Sequence, residues 1–438
     1  MLAAGATTAL GVGLFLAGGL GLAPWPAAPT GTSAAQVTAG EGPAAPPDPL
    51  AADITGVQAH LRQSPHDAVA LATLGLDYVQ QAKATADPTY YPKAEGVLQR
   101  SLQQDTGANF TAMGGMAALE AGRHHFAQAL TWAQRAIKAN PYNASLYGTL
   151  ADAYTQLGRY DDAADAVQHM VDLRPGSPSL SRASYVAELR GDIPTARADM
   201  QRALNDAAGP SDRAFAFYYL GELAFNSGDP ATELAQAQAG LRTAPTSTAL
   251  LQAKGHAEAA LGRTGPAIAD LTRAVQRVPQ PEYVLQLGEL YQSLGRTKDA
   301  DQQYQVFRAE QRLFTANGVA LDSDAALFEA DHGDPARALT IARQGLKTRP
   351  FMDTHDALAW ALHAAGQDRQ ALAESDLALA QGTRNALFHY HRAMIQRSLG
   401  NTGPARDDLS TALAINPHFS PLLAPKARAA LAAATGQA

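Results

Sequence analysis

The sequence predicts an all-α fold: a right-handed α-solenoid of about nine to ten helix-turn-helix repeats, with an N-terminal apolar segment and a C-terminal capping helix. Two observations predict it. Prolines recur at intervals of 34 or 35 residues through the middle of the 438-residue chain, and a glycine before a short polar turn recurs in each interval. A fixed period in the thirties is typical of stacked helical hairpins, because each hairpin can bury its apolar face only against its neighbours.

The N-terminal segment, residues 1–24, contains six glycines and no charged side chain, and the first charged residue of the chain is Glu41. An apolar run of this length is typical of a signal peptide or a short membrane anchor. The glycines weaken it as a spanning helix, and no Lys or Arg precedes it. We expect an exported protein, either secreted or membrane-anchored and facing the cell exterior; a cytoplasmic protein is the alternative.

The next elements follow from composition and pattern. Residues 25–55 are rich in Pro, Ala, Gly and Thr and predict a solvated linker. Residues 56–420 carry the repeats and form the predicted solenoid. Residues 421–438, "PLLAPKARAALAAATGQA", predict a capping helix and tail that cover the open end of the stack.

Within the solenoid, prolines mark the ends of successive units. Because proline lacks an N–H and clashes with the preceding helical turn, we expect each one to close the second helix of a repeat. The closing prolines are Pro141, Pro175, Pro210, Pro245, Pro279, Pro350 and Pro417.

A glycine marks the turn inside each unit, where one helix ends in a conformation with φ > 0 and a second helix begins. Eight of the nine glycines are followed five residues later by an alanine, which fits a close approach of the two helices. The exception is Glu233 after Gly228, which predicts a hairpin that packs differently. The turn glycines are Gly122, Gly158, Gly191, Gly228, Gly262, Gly295, Gly333, Gly366 and Gly400.

Two segments interrupt the regular spacing. The insertion "AKATADPTYYPKAE" separates Tyr78 from Ala94 by 16 residues, against nine between Tyr154 and Ala163, and predicts a longer loop in the first repeat. Around residues 312–324 the closing proline is missing from "RLFTANGVALDSD", and we expect the preceding helix to run on.

These units resemble tetratricopeptide repeats, whose pattern places Leu-Gly-x-x-Tyr in the first helix, Ala and a large apolar residue in the second, and a closing Pro. The resemblance covers roughly residues 56–420 and implies a protein-interaction scaffold that has no catalysis of its own. The composition, which is rich in Ala, Gly, Arg and Pro, suggests a bacterial source. The segment from 147 to 175 carries the resemblance most fully, with Tyr147, Leu150, Ala151, Tyr154, Ala163, Val167 and Pro175. A second segment carries it with Leu287, Gly288, Tyr291, Ala300, Tyr304 and Phe307.

Composition excludes several classes of function. The net charge is −7 and no Lys/Arg cluster stands out, so nucleic acid is not expected as a partner. The chain has no cysteine, which excludes disulfides, zinc-thiolate sites and a cysteine nucleophile.

Candidate chemical clusters have a structural explanation in this pattern. Asp161, Asp162 and Asp165 follow a turn glycine, where acidic side chains favour the start of a helix. His124–His125 and the pair His389 and His391 lack the i,i+3 or i,i+4 spacing of helical metal ligands, and we expect them on helix surfaces or turns. We predict no catalytic, cofactor or metal site, and no enzyme; a hydrolase or transferase concealed in degenerate repeats is the weaker alternative.

The resemblance implies instead that a partner binds in the concave groove lined by the first helix of each repeat. Aromatic and acidic side chains there suit a peptide or helix that is apolar with some basic character. A membrane-anchored assembly or regulatory factor for a cell-envelope complex is an alternative function. The predicted groove residues are Asp152, Tyr185, Tyr218, Glu222, Phe225, Asn226, His256, Leu285, Glu289, Gln292, Trp360 and Tyr390.

Overall fold

The computed structural model describes residues 49–321 and 323–435, so the predicted signal or anchor segment and most of the predicted linker lie outside the described residues. Within them the chain forms 22 helices and no strand. None of these helices has the length and apolar character needed to cross a membrane. In chain order they are α1 (Pro49–Gln63), α2 (Ala68–Thr85), α3 (Tyr90–Gln104), α4 (Phe110–Gly122), α5 (Phe126–Ala139), α6 (Ala144–Gln156), α7 (Tyr160–Leu173), α8 (Ser177–Leu189), α9 (Ile193–Asp206), α10 (Pro210–Asn226), α11 (Pro230–Thr243), α12 (Thr248–Ala260), α13 (Thr264–Arg277), α14 (Pro281–Ser293), α15 (Thr297–Ala316), α16 (Ser323–His332), α17 (Pro335–Thr348), α18 (Met352–Ala364), α19 (Asp368–Ala378), α20 (Ala386–Ser398), α21 (Thr402–Ile415) and α22 (Leu423–Thr435).

The helices from α2 to α21 form ten antiparallel hairpins, repeats 1 to 10, whose two helices pack on each other. Most hairpins also pack on the next one, and between repeats 7 and 8 Phe328 of α16 contacts Tyr304 and Phe307 of α15. The predicted α-solenoid is therefore confirmed. Helix α1 begins at Pro49, ahead of the predicted start of the solenoid, and packs on α2. Helix α22 covers the last repeat: its Leu423, Ala424 and Ala427 are buried in one cluster with Leu409 and Ala412 of α21.

The turn inside each hairpin follows the glycine pattern in seven repeats. Gly158, Gly191, Gly228, Gly262, Gly295, Gly366 and Gly400 all have φ between 68° and 83°. The prediction was wrong at two positions. In repeat 2 it is His124 that takes the positive φ (63°), while Gly122 still belongs to α4 and lies against the ring of Tyr91. Gly333 follows α16 directly without a positive φ.

The prolines close second helices as expected, with one exception. Pro141, Pro175, Pro245, Pro279, Pro350 and Pro417 each follow such a helix after one intervening residue. Pro210 was assigned wrongly, because α9 already ends at Asp206 and Pro210 begins α10. The first helical position suits proline, since its N–H would have no intrahelical partner there.

The two irregular segments had different outcomes. The insertion in repeat 1 does not form a longer loop, which corrects the prediction: α2 continues to Thr85, α3 begins at Tyr90, and only residues 86–89 connect them. Most of the inserted residues are absorbed by longer helices, and Ala86 turns the chain with φ 53°. The expected extension of the second helix in repeat 7 is confirmed, because α15 runs for 20 residues.

The solenoid coils until its second superhelical turn touches its first. The hairpin turn of each of repeats 1 to 5 contacts the connection that follows the hairpin five repeats later. Gln280, after repeat 6, donates from Nε2 to the Lys83 carbonyl (3.0 Å), and the Ala320 amide, after repeat 7, donates to the Arg123 carbonyl (3.0 Å). Asn416, after repeat 10, donates from Nδ2 to the Phe225 carbonyl (2.8 Å).

The same register holds at repeat 3. Arg349, after repeat 8, donates from Nε to Gln156 Oε1 (2.5 Å), and the Met352 amide donates to the Tyr160 hydroxyl (3.0 Å). We call this line of contacts the seam. Beside it, an apolar cluster joins Leu189 of the first turn to Phe351, Met352, Ala378 and Phe388 of the second. We call the buried inner side of the first helices, which includes Tyr218, Glu222, Glu289 and Trp360, the lumen.

Candidate functional site

The predicted groove residues lie on the first helices, but they do not line an open groove. Eight of the twelve are buried and the other four are partly buried; none is exposed. The buried ones are Tyr218, Glu222, Phe225, His256, Leu285, Glu289, Trp360 and Tyr390, and the partly buried ones are Asp152, Tyr185, Asn226 and Gln292. Partner binding by these side chains stays a prediction, and in the closed superhelix a partner cannot reach most of them.

Two of these side chains form hydrogen bonds with residues of the same repeat or the next one. Asp152 accepts two hydrogen bonds from the guanidinium of Arg182, at 3.0 and 2.8 Å, in a bidentate pair between repeats 3 and 4. Gln292 accepts a hydrogen bond from the Tyr304 hydroxyl (2.5 Å). These two positions therefore contribute to the packing of the helices.

A polar cluster crosses repeats 5 and 6 and forms the candidate site. Glu222 is on α10, Glu233 is on α11, and His256 is on α12. His256 Nδ1 lies 3.0 Å from Glu233 Oε1, and one potential ligand atom from each of the three side chains lies within 4.8 Å of the other two. All three side chains are buried, and the Phe225 ring packs against the His256 ring with centroids 3.9 Å apart and planes tilted by 42°.

The electrostatics of this cluster are those of acids taken out of water. Burial raises the pKa of Glu222 to about 8, with a smaller contribution from the nearby Glu233. Burial also raises the pKa of Glu233 well above its ordinary range and lowers the pKa of His256. Glu188 of α8 lines the same cavity as Glu222. Burial raises the pKa of Glu188 to about 7, and a hydrogen bond from Asn226 opposes this shift.

Several carboxyl oxygens in the lumen have no hydrogen-bond partner among the described residues. They are Glu222 Oε1, Glu233 Oε2, both carboxyl oxygens of Glu289, and Asp331 Oδ2. An unpaired buried polar atom costs about 1–3 kcal/mol, so native proteins keep few of them. This concentration is the most unusual feature of the interior.

A second polar network lies in repeats 8 to 10. The Trp360 indole N–H donates to Asp331 Oδ1 (2.7 Å), and the Trp360 ring stacks on His391 with centroids 4.1 Å apart. His391 Nδ1 in turn lies 2.9 Å from Asp356 Oδ2. The prediction of a surface or turn position was therefore wrong for His391, which is fully buried, whereas His389 pairs with Asp408 in a partly buried position.

Two cavities adjoin the Glu222–Glu233–His256 cluster. One has a volume of about 100 Å³ and lies between the superhelical turns, lined by Glu188 and Glu222 from the first turn and by Asp353 from the second. The other has a volume of about 270 Å³ and is lined by His256 and by residues of α22. Phe225 lines both, so the cluster lies at the wall between two spaces of the lumen.

The sequence contained one signal for this cluster. Glu233 is the single exception to the alanine that follows the turn glycine by five residues. In the structure it is fully buried beneath Gly221, where a Cβ on the glycine would lie 3.4 Å from Glu233 Cγ. The missing alanine is thus replaced by a longer side chain that carries a carboxyl group into the interior.

The acidic segment after Gly158 has the structural position predicted for it. Asp161 and Asp162 lie in the first turn of α7, where they pair with Arg190 (3.0 Å) and Arg159 (2.7 Å) respectively. Asp165 is exposed on the same helix. The three carboxylates do not converge with the lumen cluster.

Comparisons with known proteins agree with the repeat pattern. Residues 118–184, which run from α4 into α8, match the tetratricopeptide repeat family model. This segment includes the hairpin α6/α7, whose Leu150, Ala151 and Tyr154 carry the family pattern. No curated protein sequence matches the chain.

Several solved structures are similar to this chain over much of its length. Yeast Tom70 is 12% identical over 89% of this chain and 92% of its own, with a TM-score of 0.34. The Cut9–Hcn1 hetero-tetramer of APC/C is 14% identical over 88% of this chain and 93% of that chain, with a TM-score of 0.38. A tetratricopeptide repeat protein from Parabacteroides merdae is 17% identical over 59% of this chain and 98% of its own, with a TM-score of 0.35.

Proposed function

We propose that this chain is a protein-interaction scaffold without catalysis of its own, and that it binds a segment of a partner protein in the lumen when the seam opens. The observation that carries the proposal is that the buried Glu289 and Asp331 keep carboxyl oxygens with no hydrogen-bond partner among the described residues. A solenoid of hairpins is a fold typically used for binding extended segments on its inner surface.

The chemistry of the lumen indicates what the partner segment contains. Tyr218, Phe225 and Trp360 offer apolar aromatic faces, which are frequent anchors in protein interfaces. Glu289 and Asp331 offer oxygen acceptors that a Lys, Arg or amide donor can satisfy. The partner is therefore expected to be apolar with some basic character, as the sequence alone suggested.

The seam is the expected route of entry. Three of the hydrogen bonds described between the two superhelical turns join a side chain to a backbone group. Each such bond contributes about 1 kcal/mol net. Opening the seam also exposes the apolar cluster around Phe351 and Phe388, so a binding segment has to supply apolar contacts as well as donors to the buried carboxyls.

The test is to lock the seam and measure peptide binding. Because the chain has no cysteine, Arg190→Cys with Arg384→Cys allows a short bis-maleimide to join the two turns at exposed positions on either side of the seam. A matched control, Gln168→Cys with Asp172→Cys, places the same cross-link along the exposed face of α7.

A phage-displayed library of random peptides is the probe. We expect the unlinked chain and the α7 control to enrich peptides that combine aromatic or aliphatic residues with Lys or Arg, and the seam-locked chain to lose their binding. Enrichment of no peptide, or equal binding by both cross-linked forms, would contradict binding in the lumen.

We also propose that the chain is exported and is either secreted or tethered through residues 1–24. The support is the uncharged apolar composition of that segment. Fractionation of the producing cells with and without an alkaline wash separates the two forms, because a tethered chain stays with the membrane while a secreted one is found in the medium. Recovery of the whole chain in the cytoplasm would contradict export.

A further inference from the structure

The Glu222–Glu233–His256 cluster has a feature that scaffolding does not explain. Three consecutive helices, α10, α11 and α12, each contribute one group that is able to bind a metal ion. Glu233 takes the place of the alanine found in the other hairpins, so its carboxyl group is an addition to the repeat pattern. Hairpin packing alone does not require an acid there, because the other repeats pack with a methyl group.

We propose that Glu222, Glu233 and His256 bind a divalent transition-metal ion of the Zn²⁺ class. Two carboxylate oxygens and one imidazole nitrogen form a donor set that suits zinc, and such sites keep at least one further position for water. Bonds of about 2.0–2.2 Å place neighbouring ligand atoms about 3–4 Å apart. The three ligand atoms already lie within 4.8 Å of one another, so small side-chain rotations complete the set.

The unpartnered oxygens support this assignment. Glu222 Oε1 and Glu233 Oε2 have no hydrogen-bond partner among the described residues, although Glu233 has no solvent exposure and Glu222 only 7%. A bound cation would give these two oxygens a partner, which buried polar atoms otherwise lack at a cost in free energy.

The surroundings provide space for the remaining ligands. Glu222 lines the cavity of about 100 Å³ and His256 lines the cavity of about 270 Å³. Either volume is large enough for water molecules that would complete the coordination shell. A bound ion would also join repeat 5 to repeat 6 from within the lumen.

The test uses the full chain, Zn²⁺ as the probe and Mg²⁺ as the comparison ion. After treatment with a chelator and dialysis, we expect calorimetry and elemental analysis to find one Zn²⁺ per chain and no binding of Mg²⁺. Zn²⁺ should raise the thermal unfolding midpoint of the wild type, since an ion that binds only the folded chain stabilises it.

Two variants assign the site. Glu233→Ala restores the residue that the other hairpins carry and should lower zinc affinity by at least about 100-fold, because loss of a ligand exceeds the 10–100-fold cost of losing an outer-shell partner. Glu289→Gln is the matched control, since Glu289 is also fully buried with unpartnered oxygens, and it should bind Zn²⁺ like the wild type.

Circular dichroism checks that each variant is folded, and Glu222→Gln replaces Glu233→Ala if the latter unfolds. Absence of stoichiometric zinc in the wild type would overturn the proposal. Equal affinity in the wild type and the folded Glu233→Ala or Glu222→Gln chain would overturn it as well. Neither outcome depends on peptide binding, so this proposal and the scaffold function can fail separately.

Discussion

Replacing a turn glycine by alanine should have different consequences on and off the seam. Gly158 (φ 68°) and Gly191 (φ 75°) lie on the seam, where an added Cβ would lie 2.4 Å from the Pro350 carbonyl oxygen or 2.3 Å from the Gly382 carbonyl oxygen. Gly262 (φ 75°) has the same backbone conformation in repeat 6, but an added Cβ would have nothing within 4 Å. It is therefore the matched control.

The magnitudes follow from these two situations. A left-handed conformation costs a residue with a Cβ about 1–2 kcal/mol, and this cost is common to all the variants. On the seam the carbonyl oxygen must also move by roughly 1 Å, and overpacking of this kind costs about 1–3 kcal/mol more. The free energy of unfolding should therefore fall by about 1–2 kcal/mol in Gly262→Ala and by about 2–5 kcal/mol in Gly158→Ala and Gly191→Ala.

Urea unfolding followed by circular dichroism measures these differences in the free energy of unfolding. The slope of that free energy against urea concentration should be the same for all variants, which checks that each exposes the same surface on unfolding. Gly366→Ala is a second control, since Gly366 (φ 74°) also has open space around an added Cβ. Losses that agree within about 0.5 kcal/mol between seam and control variants would refute the close approach of the two superhelical turns.

Three further substitutions test the lumen and the seam. Burial holds the pKa of Glu188 at about 7 in the folded chain, against an ordinary value of 4.5, so the stabilisation is fully present below pH 4.5 and is lost as the pH rises through about 7. Glu188→Gln should therefore be more stable than the wild type at pH 8, by on the order of 1–3 kcal/mol. A difference in stability between the two chains that stays the same from pH 4 to pH 8 would contradict this. Trp360→Phe removes the donor to Asp331 Oδ1 and should lower the free energy of urea unfolding by about 1–3 kcal/mol; no loss would show that the bond does not form. Tyr160→Phe removes the acceptor of the Met352 amide and should cost about 1 kcal/mol in the same assay, whereas a neutral result would mean that this seam contact is not made.

The repeated architecture could be predicted from the sequence because it depends on local chemistry. Gly158 and its equivalents take positive φ, and prolines such as Pro175 lie just beyond the second helices. Where the pattern misled, a local alternative met the same requirement: His124 adopts the turn conformation expected of Gly122, and Pro210 begins a helix instead of ending one. Both alternatives are compatible with the same residue spacing.

The closed seam could not be predicted in the same way. It depends on the small rotation between successive repeats, which accumulates over five hairpins and is not encoded in any one motif. The Leu-Gly-x-x-Tyr register places Tyr218 and Trp360 on first helices, but only the superhelical path decides whether that face is open or buried. The cluster at Glu233 was visible only as a missing alanine, since its partners Glu222 and His256 lie on two neighbouring helices.

The two superhelical turns touch along the seam, and a distance measured across the seam tests this contact most directly. Arg190 and Arg384 are exposed on opposite sides, and a Cβ on Gly191 would lie 3.5 Å from Arg384 Cγ. Spin labels on Arg190→Cys and Arg384→Cys can be attached specifically because the chain has no cysteine. Arg190 is the chain neighbour of Gly191, with Cα atoms about 3.8 Å apart, so the two labelled positions face each other across the seam. Pulsed electron paramagnetic resonance on the free chain should therefore give one narrow inter-spin distance below about 25 Å. A broad distribution centred beyond about 40 Å would contradict the closed superhelix, since the seam contacts could not form at that separation.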